Sequence, residues 1–153
     1  MNFFKSLHDA YPQSQRHQVV LKGLALLLLA MSIGQLASFA TFVEIIELYS
    51  VGNPLIVSVA LLVFQLLSVP ALLSLRLSPA MSVLSRYSVI IIPLLWSILA
   101  FQAIIRGIAI DNCGCFGSYL SQPLSASVVY QDLVFSVWGM YSFFLIRYKQ
   151  VQW

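Results

Sequence analysis

The sequence predicts an all-α integral membrane protein, a four-helix bundle with both termini in the cytoplasm. Hydrophobic residues make up 60% of the 153-residue chain, and the mean hydropathy is +0.91. Only 8% of the residues are charged, against roughly 25% in soluble domains, which excludes an ordinary water-soluble fold. Four apolar runs each approach the roughly 20 residues that a helix needs to cross a bilayer, and they lack the alternation of barrel strands.

The elements follow one another with short connections and leave room for a single domain. Residues 1–18 are expected to form a short cytoplasmic segment of little order, and residues 148–153 a cytoplasmic tail. Gly52-Asn53-Pro54 is a turn signal that sets the start of the second run. The domain of four spans covers 19–147, with spans at about 19–43, 55–75, 87–105 and 127–146.

Two other interpretations apply to the first run. Ser38-Phe39-Ala40 resembles a signal-peptide cleavage site after an apolar core, although the leader before that core is unusually long. Residues 39–49 also suit an amphipathic helix in the membrane interface, because Glu44 and Glu47 share one helical face.

Basic residues predict the orientation of the bundle. Cytoplasmic loops of membrane proteins carry an excess of Lys and Arg, and seven of the eight basic residues fall on one side: Lys5, Arg16, Lys22, Arg76, Arg86, Arg147 and Lys149. Because these basic residues are explained as topology determinants, the +3 net charge does not indicate a nucleic-acid partner. Only Arg106 lies on the other side, where Tyr49, Tyr119 and Tyr130 suit an aromatic belt. We therefore expect an inner-membrane protein in which the loop after the third span faces the periplasm or the extracellular space.

That loop contains the only two cysteines, Cys113 and Cys115, separated by one glycine. The outer compartment allows disulfides to persist, and strained or exposed disulfides are the ones that exchange. The spacing therefore favours thiol–disulfide exchange, in which one thiolate attacks a partner disulfide and the other resolves the intermediate. The supporting positions are Asn112, Gly114, Phe116 and Gly117, with the glycines allowing unusual backbone dihedrals and Phe116 a candidate anchor at the bilayer surface.

Two other roles for the cysteines stay open. Thiolates select soft metals such as Cu(I), but two ligands are too few for zinc, and no metal site is assigned. A passive disulfide across so small a loop would restrain the unfolded chain little.

Polar residues inside the predicted spans form the next group. Gln35, Gln102 and Asp132 map to the outer halves of their spans, where they are candidates for a polar cavity beneath the cysteine loop. A carboxylate at Asp132 could relay protons or raise the pKa of a thiol, or it could only stabilise the first turn of its helix. For Gln65, at mid-depth, interhelical hydrogen bonding is the favoured role.

The run Asn112-Cys113-Gly114-Cys115-Phe116-Gly117 after a third span resembles the signature of the MauE branch of the MauE/DoxX membrane proteins. The stretch from Gln35 to Phe42 is similar to the end of that family's first helix, although the family often has a lysine where this chain has Gln35. Gln131-Asp132 lies where the family often carries a polar pair, and the resemblance covers about residues 20–147.

The resemblance implies a four-helix membrane bundle with a redox-active pair at Cys113 and Cys115. It also implies a thioredoxin-like partner and an exported client, of the methylamine dehydrogenase type in the family. DoxX relatives add a quinone as a candidate cofactor and a quinone-coupled oxidoreductase subunit as one alternative. The other alternative is a non-catalytic scaffold or assembly factor that holds a thioredoxin-fold partner.

Overall fold

A computed structural model describes residues 15–75 and 77–147, and five helices lie within these ranges. They are α1 (Gln15–Ala37), α2 (Phe39–Leu48), α3 (Pro54–Leu72), α4 (Pro79–Ile105) and α5 (Ala126–Arg147). The described part of the chain contains no strand, so the all-α prediction is confirmed. Four of these helices, all except α2, are long and apolar enough to cross a membrane.

The four long helices run up and down in alternation, as side-chain contacts between their ends show. Trp138 Nε1 in the second half of α5 donates to the Val20 carbonyl in the first half of α1 (3.2 Å). At the same end of the bundle, the Ala71 N–H late in α3 donates to Ser85 Oγ early in α4 (3.0 Å). The other end therefore holds the end of α1, the short helix α2 and the connection between α4 and α5.

Local signals account for several helix boundaries. Asn53 caps α3 by accepting from the Ile56 N–H (3.2 Å), and Pro54 occupies the first turn, where its missing N–H costs nothing. Pro79 starts α4 in the same way, eight residues before the predicted span at 87. The helix begins earlier than the predicted span because Pro79 provides a favourable first helical position upstream of the apolar run.

The first apolar run differs from the prediction of one span at 19–43, because α1 ends at Ala37 and a separate helix follows. Ser38 turns the chain: its Oγ donates to the Gly34 carbonyl (2.8 Å) and accepts from the Ser118 N–H (3.0 Å). The expected amphipathic helix over this stretch is present as α2, with Glu44 and Glu47 exposed on one face. The start of the run also differs from the predicted segment of little order at 1–18, since residues 15–18 are helical. The rest of that segment, residues 1–14, and the predicted tail at 148–153 lie outside the described residues.

The core lies between the four long helices, with Phe135 and Ile146 of α5 contributing to it, and α2 closes it at one end. Phe42 of α2 and Trp96 of α4 are almost fully buried, with ring centroids 6.3 Å apart. Tyr49, at the end of α2, is only 1% exposed, so its assignment to an outer aromatic belt was wrong, whereas Tyr119 and Tyr130 are well exposed. The many exposed apolar side chains on the bundle's outside, such as Leu26, Ile98 and Val137, suit contact with lipid.

Candidate functional site: a dithiol loop docked on the bundle

The connection between α4 and α5 begins and closes with defined backbone hydrogen bonds. Gly107 ends α4 in a left-handed conformation (φ +67°), and the N–H groups of Gly107 and Ile108 donate back to the last turn, as in a Schellman motif. Further along, Leu124 N–H donates to the Ile110 carbonyl (2.8 Å) and Cys113 N–H to the Gln122 carbonyl (2.9 Å). These bonds hold the Cys-Gly-Cys segment in one position at the end of the bundle.

Asn112 shapes the tight turn that carries the cysteines. Its Oδ1 accepts from the Gly114 N–H (3.0 Å), and its Nδ2 donates to the Gly117 carbonyl (2.9 Å). Gly114 (φ +79°) and Gly117 (φ +63°) adopt left-handed dihedrals that residues with a Cβ rarely take. Three of the four predicted supporting positions, Asn112, Gly114 and Gly117, therefore shape the turn that carries the two thiols.

The sulfur atoms of Cys113 and Cys115 lie 3.1 Å apart, and both residues are free thiols. A bonded pair would require about 2.05 Å, so the two sulfurs need to approach by only about 1 Å to close a disulfide. Cys113 is 3% exposed, whereas Cys115 is partly exposed. A partner therefore reaches Cys115 more readily than Cys113.

The two thiols differ in acidity because they share a hydrogen bond. The Cys115 S–H stabilises a Cys113 thiolate, which lowers the pKa of Cys113 below its ordinary value of 9.0 even though burial opposes this effect. The same hydrogen bond, together with burial, raises the pKa of Cys115 well above that value. The more acidic cysteine, Cys113, is therefore the buried one, and the partly exposed Cys115 is the less acidic one.

We expect this difference to appear in the pH dependence of alkylation. Cys113 should be the first thiol to ionise as the pH rises, with an apparent pKa below 9.0, since the thiolate is the reactive form. In Cys115→Ala the hydrogen bond is lost, so the pKa of Cys113 should rise. Iodoacetamide rates measured against pH on the wild-type protein, with each modified cysteine identified by mass spectrometry, check this order, because either single-cysteine variant lacks the shared hydrogen bond. A lower pKa for Cys115 than for Cys113 would contradict it.

Two side chains anchor the loop from beneath. Gln35 Nε2, at the end of α1, donates to the carbonyls of Cys115 (3.0 Å) and Gly114 (3.3 Å). The Tyr49 hydroxyl donates to the Cys113 carbonyl (3.0 Å), and burial raises the pKa of Tyr49, which keeps this hydroxyl protonated. Each cysteine thus has its backbone carbonyl bound by a buried polar side chain.

Gln35 is in turn held by a hydrogen-bonded chain through the apolar core. Gln65 Nε2 of α3 donates to Gln35 Oε1 (3.2 Å) and to Ser32 Oγ (2.9 Å). Trp96 Nε1 of α4 donates to Gln65 Oε1 (3.4 Å). The expected interhelical role of Gln65 is therefore present, and it connects three helices to the cysteine loop.

Replacement of Gln35 by leucine should loosen the loop without removing either thiol. Hydrogen bonds between membrane helices contribute about 0.6 kcal/mol each on average, and two such bonds to the loop correspond to a roughly five- to tenfold change in a local equilibrium. We expect Cys113 in Gln35→Leu to be alkylated faster by about that factor. Ser97→Ala is the control, because it removes a buried bond to Ser136 between α4 and α5 that does not involve the loop. Equal alkylation rates in both variants would contradict the anchoring role.

A cavity of about 150 Å³ lies beside Cys115, in the seam between α1 and α5. Polar or titratable residues contribute part of its lining, namely Cys115, Asp132, Gln122 and Gln131, and the other lining residues are apolar: Leu27, Met31, Phe116, Val128 and Phe135. Asp132 is 7% exposed, and its Oδ2 has no hydrogen-bond partner within residues 15–75 and 77–147. Asp132 and Cys115 therefore line the same cavity.

The structure brings two of the three predicted cavity residues to the dithiol and places the third elsewhere. Asp132 lines the cavity, and Gln35 lies directly beneath the loop. Gln102 instead donates to the Tyr49 carbonyl (2.8 Å) and accepts from Arg106 Nη1 (3.2 Å), which also donates to Tyr49. Gln102 and Arg106 thus hold the end of α2 rather than a thiol.

Sequence reasoning missed several residues that build the site. Tyr49 was assigned to the membrane surface, and Gly34 was not singled out, although the loop backbone at Phe116 packs directly against it. A glycine in a long apolar helix was the available signal for that close approach, because small residues let backbones meet in membrane proteins. No comparable signal marked Tyr49, whose contact joins residues 64 positions apart.

Comparison of the chain with protein-family models, with curated proteins and with solved structures finds no match in any of the three. The conclusions about function therefore depend on the fold and on the geometry of this loop.

Proposed function

We propose that this protein is a membrane thiol–disulfide redox protein that uses Cys113 and Cys115 to pass electrons to or from a thioredoxin-like partner. The observation that carries the proposal is a preformed dithiol, with sulfurs 3.1 Å apart, in a loop fixed from below by Gln35 and Tyr49. Four membrane-capable helices support a multi-pass protein. The distribution of basic residues supports an inner-membrane location with cytoplasmic termini and the loop on the periplasmic or extracellular side.

The exposure of the two thiols supports a division of roles. A partner thiolate attacks Cys115 Sγ of the closed disulfide, the Cys113–Cys115 bond breaks, and Cys113 leaves as a thiolate. A thiol of low pKa is the better leaving group, and the pKa of Cys113 is lowered. The partner's second thiolate then attacks the partner sulfur of the mixed disulfide and releases Cys115. Two electrons and two protons end on Cys113 and Cys115, and the partner gains a disulfide; the reverse sequence oxidises the pair.

The resemblance to the MauE branch of the MauE/DoxX proteins favours an exported client whose disulfides or cofactor mature with the help of this exchange. The test is to mix the reduced protein in detergent with an oxidised thioredoxin-fold protein and to count thiols on both chains. We expect two thiols to disappear from this protein for each disulfide reduced in the partner. Membrane-impermeant maleimide applied to intact cells should label Cys115 from outside. No transfer of thiols, or labelling only after the cells are lysed, would contradict the proposal.

The cavity beside Cys115 favours a second candidate function, a quinone-coupled oxidoreductase subunit. An apolar cavity of 150 Å³ is large enough to hold a benzene ring. This cavity has about the same volume, and Cys115 is one of the residues that line it. A quinone head group there would accept the two electrons and two protons of the dithiol and leave as a quinol. Reduced protein should then convert added short-chain ubiquinone to ubiquinol with loss of two thiols per quinone. Absence of that conversion would leave exchange with a protein partner as the activity.

A further inference from the structure

We propose that Asp132 exchanges a proton with the Cys115 thiol across the cavity that the two residues share, an inference that depends on the redox function proposed above. In the oxidising direction the carboxylate accepts the Cys115 proton as the sulfur becomes a nucleophile. In the reducing direction the carboxylic acid returns the proton to the Cys115 sulfur as it leaves the mixed disulfide. The net reaction is unchanged, since the proton only passes through Asp132.

The composition of the cavity is the first argument. Of the residues that line it, only Cys115 and Asp132 carry a group that can take or give a proton. Gln122 and Gln131 provide amides, which do not titrate, and α1 provides only Leu27 and Met31. A proton that leaves Cys115 into this space therefore has one acceptor among the cavity walls.

The state of the carboxylate is the second argument. Asp132 Oδ2 is buried and has no hydrogen-bond partner among the described residues. A buried, unpartnered carboxylate oxygen is costly, and the cost is relieved when the oxygen gains a proton or a donor. Cys115, the partly exposed thiol beside it, provides that proton.

The third argument is that Cys113 cannot act as the proton acceptor for Cys115 throughout the reaction. Cys113 can hold the shared proton while both residues are thiols, but it must itself become a thiolate to attack the mixed disulfide at Cys115. Two protons therefore leave the pair on oxidation, and a group outside the pair has to accept the first. Tyr49 is a further titratable neighbour of Asp132 and both thiols. Its hydroxyl donates a hydrogen bond to the Cys113 carbonyl and stays protonated because burial raises the pKa of Tyr49.

A purely electrostatic role for Asp132 predicts the opposite sign, which makes the inference testable. The negative charge of Asp132 raises the pKa of both cysteines, although the shared hydrogen bond is the larger effect on each. If charge repulsion were its only influence, Asp132→Asn would make thiolates easier to form and would speed up oxidation at neutral pH. If Asp132 accepts the proton, the same variant must be slower.

The experiment measures the oxidation of the reduced, full-length protein in detergent by dithiodipyridine, which closes the disulfide and releases two thiopyridones per chain. We expect Asp132→Asn to lower the rate at neutral pH by about 100-fold, the lower end of what a positioned proton acceptor contributes. Its rate should also become proportional to hydroxide concentration, while Asp132→Glu keeps most of the wild-type rate and pH profile. Asp111→Asn is the matched control, since Asp111 is an exposed carboxylate of the same loop that does not line the cavity.

Each result separates the inference from the proposed function. A wild-type pair that closes normally, with Asp132→Asn unchanged or faster, overturns the role of Asp132 and leaves the redox function standing. A slow Asp132→Asn whose rate Asp132→Glu does not restore, with helix content and elution volume unaltered, also overturns it. A wild-type pair that no disulfide oxidises overturns both the inference and the function on which it depends.

Discussion

Cys115→Ser is expected to abolish mixed-disulfide formation with a partner, whereas Cys113→Ser is expected to trap it. The reason is access, because Cys115 lines the cavity while Cys113 is 3% exposed behind it. Without Cys115 the cavity offers no sulfur to a partner, and without Cys113 this chain has no second thiol to resolve the intermediate. Complete electron transfer should fall by at least about 1,000-fold in each variant, as when one member of a catalytic unit is removed.

The measurement is non-reducing electrophoresis of both variants after incubation with an oxidised thioredoxin-fold protein. We expect a mixed disulfide in Cys113→Ser at a yield at least about tenfold higher than in Cys115→Ser, in line with the strong dependence of exchange on which sulfur is accessible. The double variant is the control for nonspecific bands. Equal trapping by the two single variants would contradict the division of roles, and trapping by neither would contradict exchange with such a partner.

Gly34→Ala is expected to displace the cysteine loop although it adds a single methyl group. A Cβ at Gly34 would lie 2.5 Å from the carbonyl oxygen and 3.0 Å from the carbonyl carbon of Phe116. These are backbone atoms, which cannot rotate away as a side chain could, so either the loop or α1 must shift. Overpacking of this kind typically costs about 1–3 kcal/mol, and here the shift would fall on the residue next to Cys115.

Gly23→Ala provides the matched control on the same helix. Its new methyl would meet only the Trp138 ring, at 3.2 Å, and it lies about three helical turns from the loop. We expect Gly34→Ala to slow disulfide closure by about tenfold or more and to lower the thermal unfolding temperature in detergent, with a much smaller effect on closure in Gly23→Ala. Equal closure rates in the two variants would show that the loop does not depend on its docking against α1.

The helix type of the protein could be predicted from the sequence, but the exact helix ends could not. Helix type followed from composition, because a continuous apolar run of this length must satisfy its backbone groups internally in lipid. The break at Ser38 did not follow, since the residues on both sides are equally apolar and the turn depends on Ser118, 80 positions away. Composition defines how much of a chain is apolar, but contacts between distant residues decide where a helix stops.

In the candidate site, too, the features set by neighbouring residues were predictable and those set by distant contacts were not. The cysteine pair and the glycines of its turn were predicted because Asn112, Gly114 and Gly117 act locally, within the segment that they shape. The position of the Gln102 side chain was not predicted, although Gln102 is the same residue type as Gln35 and was predicted to lie at a similar depth. Gln35 faces the loop, whereas Gln102 binds the Tyr49 carbonyl, and this difference depends on helix rotation, which an apolar sequence with a weak polar pattern does not define.

The most direct test of the redox function is the oxidation state of Cys113 and Cys115 in native membranes, measured by differential alkylation after equilibration with buffers of defined thiol–disulfide potential. The predicted result is one reversible transition in which both thiols disappear together, with the ratio of oxidised to reduced protein changing tenfold per roughly 30 mV, as for a two-electron couple. A pair that stays reduced at every potential, or that stays oxidised and cannot be reduced, would contradict an electron-transfer role for this loop.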